Sequence, residues 1–361
     1  MEDTIIIELL QNQDIDKVNH FYNTIYNSNR TRAEFEWEFI HTPLMKAIYV
    51  VAKDKNTGQI VGTQCAIPCH LKIAEGSLIL SAKSEDTLVD PKYRGKKIFE
   101  KMYALLFTEC KQNGINYIWG FTYATKPFSN VGFEIPFSAN IGIIAISIAK
   151  SYNYLKSLNK KNSFIDKFKI LGLSCLSKLN YIRHLLNTHK GFNGYIFNKL
   201  VVDDLTTLLD EILKDNRDLF YILQDKEFLR WRIFANPYNL KFHQSSLNDN
   251  KNNLVANIIY SIDTNGVAYI IQQLFAESVT KEIKQAFLAK IFTEIKKEAF
   301  IIRYWAFTIN RYMINDKLLL ESTGFTFINR GISFVWKDID NQNIINPKNL
   351  IISRMASQGT N

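Results

Sequence analysis

The stretch TLVDPKYRGKKIF, Thr87 to Phe99, holds the residues best suited to chemistry on a phosphorylated ligand. Val89-Asp90-Pro91 reads as the end of a strand, the chain from Lys97 onward reads as a helix, and Tyr93-Arg94-Gly95-Lys96 lies between them. A glycine-bearing turn that opens a helix presents free backbone N–H groups and the positive end of the helix dipole to an anion. Arg94, Lys96 and Lys97 add cationic donors suited to a pyrophosphate. The same residues could form a solvated basic turn, and the loop alone leaves both readings open. Cys65, Cys69 and His70 form a second constellation with part of a zinc spacing, but no second ligand pair follows. Cysteines in a buried strand explain it better, and no metal is expected.

A strand and a helix must hold the loop, and the patterning supplies both. Leu78 to Val89 reads as a strand, while Lys97 to Gln112 places Phe99, Met102, Tyr103, Leu106 and Cys110 on one helical face. Upstream, Asp14 to Tyr26 has helical spacing, and Ala47 to Lys53 and Ile60 to Ile67 read as strands joined by a turn ending in Gly58. Downstream, Tyr117 to Tyr123 reads as a strand, and the apolar run Ile141 to Ala149 is the length of a buried strand, too short for a membrane span.

The chain also repeats itself. FEWEFIHTP with Trp37 and Pro43 matches FLRWRIFANP with Trp231 and Pro237 at an offset of 194. WGFT at Trp119 matches WAFT at Trp305 at an offset of 186, and Gly132-Phe133 matches Gly324-Phe325 at an offset of 192. Three matches in one order imply a duplication with short insertions. The second copy should run helix (Asp203 to Leu213), strand (Asn253 to Ile262), strand (Val267 to Phe275), helix (Lys281 to Glu298) and strand (Ile301 to Ile309). The fold class expected is therefore α/β, an α+β mixed sheet present twice in tandem.

Composition narrows the field. The 361 residues are 47% hydrophobic and 22% charged, an ordinary globular balance. The acidic start MEDTIIIELLQNQD lacks a signal peptide's basic region, and four irregularly spaced cysteines suit a reducing compartment, so a cytoplasmic location is expected. The net charge of +9 is concentrated: Lys150 to Lys190 carries nine basic residues against one acid, Asp166. Such a patch can attract phosphates, nucleic acid or an anionic membrane, or be a solvated, lysine-rich linker. No nucleic-acid recognition motif accompanies it.

With these residues in place, the chain resembles the GNAT superfamily of acyl-CoA N-acyltransferases. Their signature is a strand ending in a Val-x-Pro-like turn, then Arg/Gln-x-x-Gly-x-Gly/Ala opening a helix, and a Gly-Phe pair about 35 residues later. Tyr93, Arg94, Gly95 and Ile98 match a common Tyr-Arg-Gly-x-x-Ile variant, and Val131 to Glu134 supplies the Gly-Phe pair. Lys97 and Phe99 stand at the two later glycine positions. The resemblance covers roughly Ile5 to Phe137 and, more faintly, Phe197 to Trp336. It implies boundaries of 1–149 for a CoA-binding domain, 150–196 for a basic helical connector, 197–340 for a degenerate second domain and 341–361 for a tail.

The resemblance also implies roles. The backbone of Leu88 and Val89 would pair with the pantetheine arm of acetyl-CoA, the acyl donor, and Arg94, Gly95, Lys96, Lys97, Ile98 and Phe99 would hold its pyrophosphate. Glu85 stands near the family's usual general base, with Asp86 expected on the opposite face by strand alternation. The family's usual acid, a Tyr four residues before Gly-Phe, is Phe128 here, so Tyr123 is the candidate substitute. At an offset of 186 the loop's counterpart is Thr280 to Gln285, with no glycine and no arginine, so the second copy should bind no CoA and serve as a structural or acceptor-binding partner.

The expected activity is N-acetylation of a small amine such as an amino sugar, free or nucleotide-linked, by a monomer with no nucleic-acid partner. Two alternatives are an aminoacyl-tRNA-dependent transferase of the peptidoglycan-bridge type and a non-catalytic binding protein of the same fold.

Overall fold

A computed structural model describes residues 4–159, 163–187, 191–199, 201–238, 240–328, 331–341 and 344–357. The chain opens with β1 (Ile5–Leu9), α1 (Ile15–Tyr26) and α2 (Arg32–Phe35), followed by a π-helical turn, Glu36–Ile40. Three strands follow: β2 (Ile48–Asp54), β3 (Ile60–Ile73) and β4 (Leu78–Val89). Next come α3 (Ile98–Gln112), β5 (Tyr117–Thr122), α4 (Thr125–Asn130), β6 (Glu134–Ser138) and β7 (Asn140–Ala145). The basic stretch holds α5 (Ile148–Leu158) and α6 (Phe164–Asn187), then β8 (Tyr195–Asn198).

The second half repeats the order. It runs α7 (Thr206–Lys214), β9 (Phe220–Ile222), α8 (Lys226–Leu229) and a second π-helical turn, Arg230–Phe234. Then come β10 (Lys241–Asp249), β11 (Leu254–Ile262), β12 (Val267–Phe275), α9 (Lys281–Ile295) and β13 (Ile301–Ala306). The described chain closes with α10 (Arg311–Ser322), β14 (Thr326–Ile328), β15 (Ser333–Asp338) and β16 (Leu350–Ile351). The expected elements of both copies are all present, with ends moved by a few residues.

The compact units interleave along the chain. One comprises Met1–Phe137, Glu227–Asn239 and Ser333–Pro347, and the other Ser138–Lys226, Leu240–Ile332 and Lys348–Asn361. The reason is an exchange of strands. The first sheet runs β1-β2-β3-β4-β5-β15-β6 and the second β14-β7-β13-β12-β11-β10-β8. Thus β15, from the end of the chain, pairs antiparallel with β5, while β7, from the first half, pairs antiparallel with β13 and β14.

In the first unit, strand alternation divides the core into two layers. Val50 and Ala52 of β2 face Met102, Tyr103, Leu106 and Cys110 of α3. Tyr49 and Val51 face Val18 and Phe21 of α1 and Phe35 and Phe39 beyond it. All four β2 residues are buried, as a sheet covered on both faces requires. A side chain at Gly62 would stand 3.2 Å from Ile98 and Met102, so a glycine in β3 lets the start of α3 sit close to the sheet.

Trp37 and Trp231, one matched pair of the repeat, both lie in the first unit, one in each π-helical turn. Their rings stack with centroids 5.3 Å apart. The Trp37 indole donates to the Trp231 carbonyl at 2.9 Å, and the Trp231 indole donates to the Trp37 carbonyl at 2.9 Å. Reciprocal bonds of equal length are what two copies of one motif make across a local two-fold axis.

Candidate active site

The site is built where β4 parts from β5. These parallel neighbours are in register from Ser81 with Tyr117 to Ser84 with Gly120. At that last pair a Cβ on Gly120 would approach the Ser84 carbonyl to 2.9 Å, so only glycine permits the contact. Beyond it the register ends, although β4 continues to Val89 and β5 to Thr122. The β5-facing edge of Glu85 to Val89 is left at the mouth of this opening, and Leu88 and Val89 lie within it.

A bulge turns the acids of β4 into the same region. Thr63 pairs with Leu88 and Cys65 with Glu85, so Asp86 and Thr87 together oppose Gln64. Asp86 has φ +51°, the left-handed region. The expectation that Asp86 faces away from Glu85 is therefore corrected: the extra residue breaks the alternation. The buried Asp86 accepts from Tyr49 at 2.5 Å and from Arg30 at 3.0 Å. Arg30 also donates to Asn19 at 2.8 Å and lies 3.8 Å over the Tyr22 ring. Burial, aided by the Asp86 charge, pushes the Tyr22 hydroxyl up to about 12.

Glu85 is partly exposed and pairs with the buried Lys83. The sequence reading missed a second carboxylate beside it. Glu38, in the first π-helical turn, is buried, and burial reinforced by the Glu85 charge raises its carboxyl to about 7. Tyr238 donates to Glu38 at 3.1 Å. Arg232, from the second π-helical turn, is fully buried, and burial lowers its guanidinium to about 10 against the opposing pull of Glu38 and Glu85. A carboxyl held near 7 exists in both forms at neutral pH and can accept a proton and give it back.

The loop after β4 starts with a turn capped by Asp90, whose carboxylate accepts from the Lys92 N–H at 2.8 Å. Tyr93 donates to Asp54 at 2.8 Å, and the Lys96 ammonium lies 4.8 Å from the Tyr93 ring. Gly95 has φ +83° and Lys97 φ +57°. Lys97 thus keeps left-handed backbone at a position where the signature has glycine. Lys97 is the N-cap of α3, and no side chain caps that end, so the first N–H groups of the helix remain available to a ligand. Arg94, Lys96 and Lys97 are all exposed around them.

Residues 7–135 match the family model described as the acetyltransferase (GNAT) domain. This stretch is a GNAT-family acyltransferase domain. No curated protein matches the chain. Its fold is similar to that of a probable N-acyltransferase from Enterococcus faecalis V583, with a TM-score of 0.64 and 11% identity over 93% of this chain and 73% of that one. A GCN5-related N-acetyltransferase from Anabaena variabilis ATCC 29413 gives a TM-score of 0.61 at 10% identity over 93% and 73% of the two chains. Saccharomyces cerevisiae N-myristoyltransferase, solved with bound myristoyl-CoA and inhibitors, gives 0.59 at 12% identity over 94% and 81%.

Within this GNAT domain the two aromatic positions differ in setting. Tyr123 lies just past the end of β5, 76% exposed. Phe128 is buried in α4, edge-on to Phe99, Tyr103 and Phe133. Tyr103 of α3 hydrogen-bonds the Ser84 hydroxyl at 2.8 Å, and its burial raises its pKa. Cys65 lies buried in β3 with its thiol on the Glu85 carbonyl at 3.3 Å, and the Cys69 thiol lies 3.4 Å from the Ser81 hydroxyl.

The second copy builds a different corner. From β12 the chain enters α9 through Thr280, at φ −67°, with no glycine turn. A cavity of about 310 Å³ lies there, lined in part by Phe275, Glu277, Lys284, Tyr312 and Asp316. Burial lifts the Asp316 carboxyl to about 6, although Tyr304 and Gln273 donate to it at 2.6 and 2.5 Å. Burial lowers the Lys284 ammonium.

Proposed function

We propose that the chain moves an acetyl group from acetyl-CoA to the amine of a small acceptor, with an amino sugar, free or nucleotide-linked, as the first class to try. The observation that carries this reading is the parting of β4 from β5 next to the Arg94–Lys97 loop and the uncapped start of α3. The backbone of Leu88 and Val89 would pair with the pantetheine arm as an added strand. Arg94, Gly95, Lys96, Lys97, Ile98 and Phe99 would receive the pyrophosphate on N–H groups and cations.

In the reaction the amine nitrogen attacks the thioester carbon. Glu85 takes the amine proton, the C–S bond breaks, and the CoA thiolate is protonated by Tyr123 or by water. The products are an amide and free CoA thiol. Glu38, held near 7 beside Glu85, would accept the proton onward. In the proposed organisation the first copy binds CoA and the second does not, and the chain acts as a cytoplasmic monomer.

The test measures CoA release over a panel of amines, with donors from acetyl- to myristoyl-CoA. Glu85→Gln should lower kcat by about 10²- to 10⁴-fold with acetyl-CoA affinity unchanged. Arg94→Ala should weaken acetyl-CoA binding about tenfold, the loss of one charge-assisted contact. Wild-type rates and affinities in both variants would sink the assignment.

A further inference from the structure

We propose that α6 is a membrane-surface helix whose outward face lies on a bilayer rich in anionic lipid. This goes beyond acyl transfer and does not depend on it. The observation behind it is that α6 is amphipathic the wrong way round. Its buried residues include Ser174, Ser177, Tyr181 and His184. Its exposed residues include Phe164, Phe168, Leu171, Leu179, Ile182 and Leu186, from 41% to 79% accessible, with Ile165 and Leu176 beside them. A helix that only covers a soluble core buries its apolar stripe and turns polar residues to water.

Specific polar contacts fix this orientation. The Ser177 hydroxyl accepts from the Ala145 N–H at 2.9 Å and donates to the Ile143 carbonyl at 3.0 Å, both on β7. Lys178 donates to the Ile146 carbonyl at 2.7 Å, and Asn180 to Thr326 at 3.3 Å. A Cβ on Gly324 would come within 2.6 Å of the Tyr181 backbone, so the chain after α10 is shaped to receive this face of the helix. Burial holds His184 down to about 4, and it stays uncharged inside at neutral pH. Turning the apolar stripe inward would break all of these contacts.

The occupant follows from charge. Helical spacing sets Lys167 along one border of the stripe and Lys169 and Arg183 along the other. From Lys150 to Lys190 nine basic residues face one acid, and that acid, Asp166, accepts from Ser163 at 2.7 Å. The stripe's four- and three-residue spacing would also suit a second copy in a coiled coil. Borders of one sign oppose that pairing, whereas they are complementary to anionic headgroups. The helix, about 36 Å long at 1.5 Å per residue, would lie in the interface rather than cross it: among the described residues no helix is long and apolar enough to span a membrane.

The experiment is co-sedimentation of the full chain with vesicles of phosphatidylcholine alone or with about 30 mol% phosphatidylglycerol, the probe for a charge-selective surface. Binding to the anionic vesicles should be at least about tenfold stronger, given a gain of about fivefold for each lysine or arginine at such a surface. The triple variant Phe168→Ser, Leu179→Ser, Leu186→Ser should lose most of it with an unchanged Tm, because all three side chains are exposed. Lys167→Gln with Lys169→Gln should reduce the preference for anionic vesicles. Absence of vesicle binding by the wild type overturns the proposal. So does binding that the serine variant retains, which would mark a general polyanion contact such as RNA. A dimer in sedimentation velocity that the serine variant abolishes, without vesicle binding, would assign the stripe to a second copy.

Discussion

The corner from β4 to α3 and the corner from β12 to α9 occupy the same place in two copies of one fold, and they are built differently. In both, the strand is bulged and its parallel partner lets go early: β4 pairs with β5 only to Ser84, and β12 with β13 only to Tyr269. In β4 the bulged residues are Asp86 and Thr87, directly after Glu85. In β12 the residue without an opposite number is Ile271, between Ile270 paired with Tyr260 and Gln272 paired with Ile259. The first copy then turns through Gly95 and a left-handed Lys97 into α3, whereas the second reaches α9 through a glycine-free turn, Ala276 to Thr280, and neither helix start has a side-chain cap. The parted strands are thus a property of the fold. The paired acids and the glycine-bearing basic loop are features of one copy, which teaches that the architecture alone does not specify the chemistry of the corner.

The largest effect that would test this concerns Asp86, held by Arg30 with both side chains almost fully buried. Arg30→Met leaves a buried carboxylate without its cation and should cost about 3–5 kcal/mol in urea unfolding. The bulge of the second copy carries no such pair, and Gln272→Met should cost well under half as much. Equal losses would show that the bulge geometry, not the ion pair, sets the stability of both corners.

Glu38 provides the next effect, and its sign can be stated. Its folded pKa, about 7, lies above its ordinary 4.5. Between these values the folded state binds more protons than the unfolded state, so stability is greatest below pH 4.5 and falls as pH rises to 7. The contribution is on the order of 3 kcal/mol. Glu38→Gln should therefore be more stable than wild type at pH 8, the two should converge near pH 5, and an inflection near pH 7 in the acyl-transfer rate should move. A rate profile that keeps its inflection would leave Glu38 a structural acid only.

The smallest effect is at the loop. Lys97 pays for a left-handed backbone that costs a non-glycine residue about 1–2 kcal/mol, so Lys97→Gly should raise stability by about 1 kcal/mol in thermal or urea unfolding. Thr280→Gly, at an ordinary φ, should give no gain. A gain at both positions would remove backbone strain as the explanation.

Much of this was legible in the sequence. Period-two and helical spacing marked β4, α3, β12 and α9, and three ordered matches marked the duplication. Glu38 was not legible because FEWEFI has no catalytic spacing, and its significance comes from burial and from Glu85, 47 positions away. Arg232 reaches the same site only because residues 227–239 belong to the first unit. Asp86 was misread because one left-handed residue reverses the alternation on which such a reading depends.

By itself, the sequence determined the elements and the place of the basic, glycine-bearing loop before α3, since both follow from local periodicity and a few turn residues. Tertiary structure alone decided that β7 and β15 change sheets, that Glu38, Glu85, Asp86, Arg30 and Arg232 interact, and that α6 turns its apolar face outward. Those outcomes depend on pairing and desolvation between residues far apart in the chain, which no local pattern encodes.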